Sequence, residues 1–326
     1  CNLDGSPTER TEAASWFAKF TNSHPELLGS KPLKGDAAIV VIPESQIFCH
    51  ISDRNAGKYA QAVRGAYKAL SQAGYQVDFV RPDQLEGYPM VYLPFPLMIE
   101  EKTAKVLADY VRNGGVLISE ACPAQFGNGG YVQVTTPGYG LHEVFGVKAE
   151  SGPETVLENA PHIVWNDKSV WCAVHRQQLV VQSAEVLAEY SDGGPAMTRN
   201  TFGNGKAVLI GTYPGLCLEW GCEDAGRLIA DLAESLGVKP RAAPSDMDVW
   251  VRLHESDGRL TAYVVNISLE RKEVTVRFSD DINALDSSVD IVTGEKVAAK
   301  DNQLTVSVNG HDVRVLNLIS ASITLA

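Results

Sequence analysis

The stretch Gly87–Cys122 (GYPMVYLPFPLMIEEKTAKVLADYVRNGGVLISEAC) constrains the fold more than any other. Met90–Leu97 is a short apolar run interrupted by Pro94 and Pro96, the pattern of a buried parallel strand near its end. Glu100–Asn113 predicts an amphipathic helix, because Ala104, Leu107, Ala108 and Val111 recur at helical spacing behind an acidic first turn. Gly114-Gly115 stops that helix, since glycine enters the left-handed cap at little cost. Val116–Ile118 predicts the next strand, with Ser119–Pro123 as the loop at its carboxyl end. Strand, helix, Gly-Gly, strand is one right-handed crossover of an α/β sheet. Ligands of such sheets gather at strand carboxyl ends, so chemistry is expected near Pro94–Met98 and Glu120–Gln125.

The flanking segments extend the pattern. Asp36–Pro43 reads as a buried strand and Ala56–Gly74 as a helix with Tyr59, Val63, Ala66, Tyr67 and Leu70 inward; Gln76–Arg81 is a second strand. This order predicts a doubly wound parallel sheet. Residues 125–169 are rich in Gly, Pro and aromatics, and a long insertion of this kind is expected to be functional or an interface. Leu179–Tyr190 and Ala196–Phe202 read as strands leading to a hairpin turn at Gly203–Lys206. Ala207–Gly211 is another strand and Glu223–Leu236 a final helix. Near the N-terminus, Ser6 as N-cap, Pro7 and Glu9 predict a helix start; Ala13, Trp16, Phe17 and Phe20 form its aromatic stripe. That stripe has little beside it in sequence to cover it, as if the helix ended a larger body. After a linker at Lys239–Pro244 the apolar period becomes two, from Val249, Val251 and Leu253 to Val313, Val315 and Leu316. A small antiparallel β-sandwich is expected there.

With 326 residues the chain is expected to hold two or three domains. A net charge of −12 argues against nucleic acid and anionic membrane surfaces as partners. No apolar run approaches the ~20 residues that span a bilayer, and no charged-then-apolar leader is visible. Cys1, Cys49, Cys122, Cys172, Cys217 and Cys222 contain no CxxC pair, so reduced structural thiols and a cytoplasmic location are favoured. A lipid-modified Cys1 is the less favoured reading.

Several segments, taken in order, resemble family-42 β-galactosidases: DAAIVV (36–41), ALSQAGYQVDFVRPD (69–83), GYPMVYLPFPLMI (87–99), YVRNGGVLIS (110–119) and GNGKAVLIGT (203–212). They are similar to the middle, trimerisation domain of that family. The resemblance implies a glutamine-amidotransferase-like (flavodoxin-like) α/β fold at 35–240. LTAYVVNISLERKEVTV (260–276) is similar to the family's small C-terminal domain, here 245–326, and residues 1–34 resemble the end of its catalytic barrel. A (β/α)₈ barrel needs ~200–250 residues, and about thirty precede the first strand here. The family's two catalytic carboxylates, which a retaining mechanism places on either side of one bond, have no counterparts in this sequence. The resemblance thus implies a non-catalytic C-terminal region of a glycoside hydrolase acting on terminal β-galactosides, without a cofactor. Its implied partners are itself, as a homotrimer, the missing barrel, and a carbohydrate substrate.

Individual candidates carry competing readings. Cys122 follows a buried strand, where an amidotransferase nucleophile would sit, but Pro123 follows it and no His-x-Glu sequence comes after Ala207–Gly211. A buried, inert thiol is the favoured reading, and a Cys-dependent hydrolase the less favoured one. Glu120 at the same strand end suits a sugar hydroxyl or a subunit contact, but a structural carboxylate is expected more often. Phe126, Tyr131, Tyr139, Trp165 and Trp171 are read as substrate rim or interface, against packing under a long loop, with Tyr131 and Tyr139 expected on an exposed rim. His50 beside Cys49 lacks further ligands at metal-site spacing, and no metal is expected. A stand-alone glycan-binding module remains the rival to the assembly reading.

Overall fold

The strands of the central region are apolar at nearly every position, so both faces of their sheet must be covered. The computed structural model of the protein describes residues 2–149, 152, 154–156, 161–282 and 285–320; Cys1 lies outside them. The chain forms two compact units, one of Lys34–Ala243 and one combining the residues up to Leu33 with those from Pro244 onward.

The larger unit contains β1 (Ala37–Val40), α1 (Pro43–Asp53), α2 (Gly57–Gln72), β2 (Val77–Val80), β3 (Met90–Leu93) and α3 (Glu101–Arg112). It continues with β4 (Val116–Ser119), α4 (Leu141–Phe145), β5 (His162–Trp165), β6 (Lys168–Trp171), β7 (Glu185–Tyr190) and β8 (Pro195–Phe202). It closes with β9 (Gly205–Ile210), α5 (Pro214–Glu219) and α6 (Glu223–Ser235). Nine strands share one sheet in the order β2-β1-β3-β4-β9-β8-β7-β5-β6. From β2 to β9 neighbours pair in parallel. From β9 to β6 they pair antiparallel. The parallel sheet expected from the sequence is therefore one half of a mixed sheet. The hairpins joining β7, β8 and β9 leave no room for a crossover helix, so those strands must alternate in direction.

Alternate residues of each strand enter opposite cores. Ile39, Tyr92, Ile118 and Val208 meet Tyr59, Ala66 and Leu70 of α2 and Leu228 and Leu232 of α6. Val40, Leu93, Leu117 and Leu209 meet Leu107 and Val111 of α3 and Phe145 of α4. Val63 and Tyr67, expected inward, are only half-buried at the edge of the first core. The insertion at 125–169 is less loop-like than expected. It holds α4, a strand Val147–Ala149 paired with Leu179–Val181, and the β5–β6 hairpin. The signal for that hairpin is Asn166-Asp167 between alternating apolar residues, with Asn166 in the left-handed region. The Gly203-Asn204 turn joins β8 and β9 as expected.

In the other unit, Val249–Ser256, Arg259–Asn266, Asp312–Ser320, Leu285–Asp290 and Lys296–Ala298 form most of one antiparallel sheet, which Lys31–Pro32 extends at its edge. Lys272–Phe278 pairs antiparallel with Gln303–Val308. The period-two residues Val251, Leu253, Val264, Val274, Val276, Leu304, Val306 and Leu316 are buried. Leu285–Asp290 is unforeseen, because its LDSSVD sequence lacks apolar alternation; its buried Asp290 is paired by Arg314 instead. The first helix is Glu9–Ser23, two residues later than the sequence suggests. Thr8 caps it by accepting a hydrogen bond from the Thr11 amide at 3.3 Å, whereas the Ser6 amide is taken up by the Asp4 carboxylate at 2.9 Å.

Candidate functional site

At the carboxyl ends of β3 and β4 the structure builds a closed polar nest around Glu120. Its side chain is fully buried and accepts three hydrogen bonds: from the Tyr92 hydroxyl at 3.0 Å, the Phe95 amide at 2.9 Å and the Gly215 amide at 2.7 Å. One carboxylate thus ties the ends of β3 and β4 to the first turn of α5. Burial raises its pKa to about 7, and the three donors limit the rise. The backbone around it is constrained, with Phe95, Cys122 and Ala124 at φ of 45°, 61° and 53°. Such left-handed residues other than glycine cost about 1–3 kcal/mol each and persist only where the surroundings hold them.

Cys122 lies within this nest, with no exposed surface. Its amide donates to the Gln177 Oε1 at 2.7 Å, and burial pushes its thiol pKa up to about 12. Tyr213, also fully buried, is hydrogen-bonded to the thiol and lies 3.1 Å from the His175 Nδ1. Burial and the nearby Lys58 hold His175 below its ordinary pKa. A Cys–Tyr–His chain therefore exists, but its thiol is protonated and closed off from solvent. Nucleophilic attack needs a thiolate, and this environment disfavours one. Tyr92, Gln177, Tyr213 and Gly215 were not among the expected site residues. Only the position of Tyr213–Gly215 just after a strand end hinted at them.

The aromatic candidates fall in two places. Phe126 is half-buried, its ring 4.2 Å from that of Phe48 on α1. Tyr131 is 77% exposed. Tyr139 is half-buried, and its hydroxyl accepts from the Asn128 amide at 2.8 Å; it holds the loop rather than standing free. Trp165 and Trp171 sit instead on β5 and β6, the outermost pair of the antiparallel half. Trp171 stacks on Trp220, ring centroids 6.1 Å apart, while the Lys168 ammonium lies 5.9 Å from the Trp165 ring. The nest and the tryptophan pair are thus separate features. His50 is exposed on α1, and among the described residues no group of metal-ligating side chains converges. No described helix is long and apolar enough to cross a membrane.

A family model described as "Beta-galactosidase trimerisation domain" matches residues 35–239, the α/β unit and little else. The chain is 28% identical over 265 residues to β-galactosidase BgaB of Geobacillus sp., covering 78% of this chain and 38% of that protein. It is 26% identical over 320 residues to β-galactosidase LacZ of Lactobacillus acidophilus, covering 94% of this chain and 44% of the relative. The chain thus spans less than half the length of these relatives. Among solved structures, a β-galactosidase from Bacillus circulans sp. alkalophilus superposes with a TM-score of 0.71 at 24% identity, over 87% of this chain and 41% of that one. A catalytic mutant of a family-42 β-galactosidase from G. stearothermophilus gives 0.77 at 18% identity, over 97% and 45% of the two chains. At these identities the superpositions establish the fold, and the family model, matching well over half of the sequence, establishes kinship: the chain belongs to the β-galactosidase trimerisation domain family.

Proposed function

We propose that this chain is the non-catalytic assembly region of a β-galactosidase-like glycoside hydrolase, its α/β unit joining subunits into a homotrimer. The observation that carries the reading is the match of the trimerisation-domain family across 35–239. In this reading the α/β unit is an amidotransferase-like frame whose strand-end site has become structural. A sealed thiol with its pKa near 12 and a carboxylate committed to three internal donors support that view. Hydrolysis of terminal β-galactosides belongs to a barrel of which Glu9–Ser23 is the closing helix. That helix buries none of its residues and leaves Trp16 and Phe17 exposed, as a surface meant for a neighbour would. Tyr131 and the loop anchored by Tyr139 help to wall a neighbouring active site. The five cysteines among the described residues are free and buried, which suits a reducing, cytoplasmic setting.

The test is size-exclusion chromatography with light scattering, paired with an aryl β-galactoside assay on the same sample. A mass three times that of the chain, with no turnover, is expected. A monomer at every concentration removes the assembly role, and turnover by this chain alone removes the non-catalytic one.

A further inference from the structure

Outside the α/β unit, the unit that combines the N-terminal residues with the C-terminal sheets carries a cavity of about 230 Å³. Thr261 and Asn317 stand opposite each other on paired antiparallel strands, so their side chains share one face and both line this cavity. Thr261 is only 7% exposed and Asn317 is half-buried. The Thr261 hydroxyl and the Asn317 amide can each meet a polar group from outside the chain. The Asp257 carboxylate and the Arg259 guanidinium come from the hairpin end beside them, and Glu26 from the helix Pro25–Gly29 opposite. Arg259 lies near enough to lower the Glu26 pKa, after that residue's own backbone and His24. Leu27 and Ile291 supply the apolar part of the wall.

These groups select a ligand class. A hydroxyl and a primary amide both donate and accept, two carboxylates only accept, and a guanidinium only donates. That mixture, beside two aliphatic side chains, matches a ring that alternates hydroxyl and C–H surfaces. Two carboxylates disfavour a phosphate, and the guanidinium disfavours a metal ion. At about 230 Å³ the cavity is below the ~300 Å³ at which drug-sized pockets begin. We propose that this cavity binds a single neutral pyranose ring, the terminal residue of a glycan, at a site separate from the α/β unit. The proposal does not depend on the assembly role.

The test is a titration of the full chain with methyl β-galactoside, methyl β-glucoside and glycerol, followed by ¹H–¹⁵N spectra. Expected is a saturable shift for at least one glycoside centred on Thr261, Asp257 and Asn317, with no saturation by glycerol. Thr261→Val and Asn317→Leu are each expected to weaken binding about tenfold, the loss of one or two hydrogen bonds. Where Asn317→Leu disturbs the fold, Asp257→Ala in the exposed turn gives the same reading. Absence of saturation by either glycoside, an equal response to glycerol, or natively folded variants that bind unchanged would each overturn the proposal. Light scattering on the same samples reads subunit assembly independently.

Discussion

Glu120 shows how a single carboxylate is bent to a structural task. Its folded-state pKa of about 7 exceeds its ordinary 4.5, because complete burial outweighs three donated hydrogen bonds. The folded state therefore holds this proton more tightly than the unfolded chain does. The stabilising effect of that proton is full below pH 4.5 and is lost as pH rises to about 7. His175 and His254, whose pKa values are lowered by burial, act in the opposite sense: their effect favours the fold above their ordinary pKa and is lost as pH falls. The comparison of wild type with Glu120→Gln isolates the carboxylate. Urea denaturation at pH 5 and pH 8 should show the wild type losing up to ~3 kcal/mol relative to the variant across that interval. Parallel pH profiles would show that Glu120 does not titrate there. For Cys122, burial predicts that iodoacetamide at neutral pH leaves it unmodified in the native protein and labels it once urea unfolds the chain. Peptide mass spectrometry distinguishes the two, and rapid native labelling would restore the Cys-dependent reading.

Helices α2 and α5 approach closely, and glycines make it possible. A Cβ placed on Gly65 would lie 1.8 Å from the Gly215 carbonyl oxygen, and one on Gly215 would lie 2.3 Å from that of Ala62. Both obstacles are backbone, so no side chain can rotate away. Gly65→Ala should cost about 3 kcal/mol or more in chemical denaturation, since the helix must move bodily. It should also loosen the Gly215 amide from Glu120, which the pH dependence would report. A neutral substitution would mean that α5 shifts freely and that the nest is not held from that side. Helices α1 and α5 escaped the sequence reading for related reasons. α1 opens on Pro43, read as the end of a strand, and faces inward mainly through Ser45 and Cys49. α5 is six residues long and buried, so PGLCLE shows no amphipathic period.

For the molecule as a whole, two units with separate cores predict two unfolding events rather than one. Calorimetry should resolve them. Leu232→Ala empties the core beneath α6 and should lower only the α/β transition. Val264→Ala should lower only the other. Each loss is expected at about 2–4 kcal/mol or somewhat less for valine, a shift of several degrees. A single transition moved equally by both substitutions would mean that the units fold as one.

Within the larger unit, the residues that repeat or punctuate were legible in sequence. The run Met90–Leu93, the periodic face of α3, the Gly114-Gly115 stop and the Gly203-Asn204 turn all act locally, through spacing and allowed backbone angles. The alternation of Val274, Val276, Leu304 and Val306 likewise marked two strands, which the structure pairs antiparallel. Kinship with the β-galactosidase trimerisation domain family was legible too, because the order of such segments persists after individual residues have changed. Tertiary structure alone decided that half the large sheet runs antiparallel, and that Trp165 and Trp171 lie on its outer strands. It alone decided that Glu120 meets the amides of Phe95 and Gly215, and that Thr261 and Asn317 face one cavity. Those outcomes depend on which residues distant in sequence become neighbours, and local spacing carries no record of that.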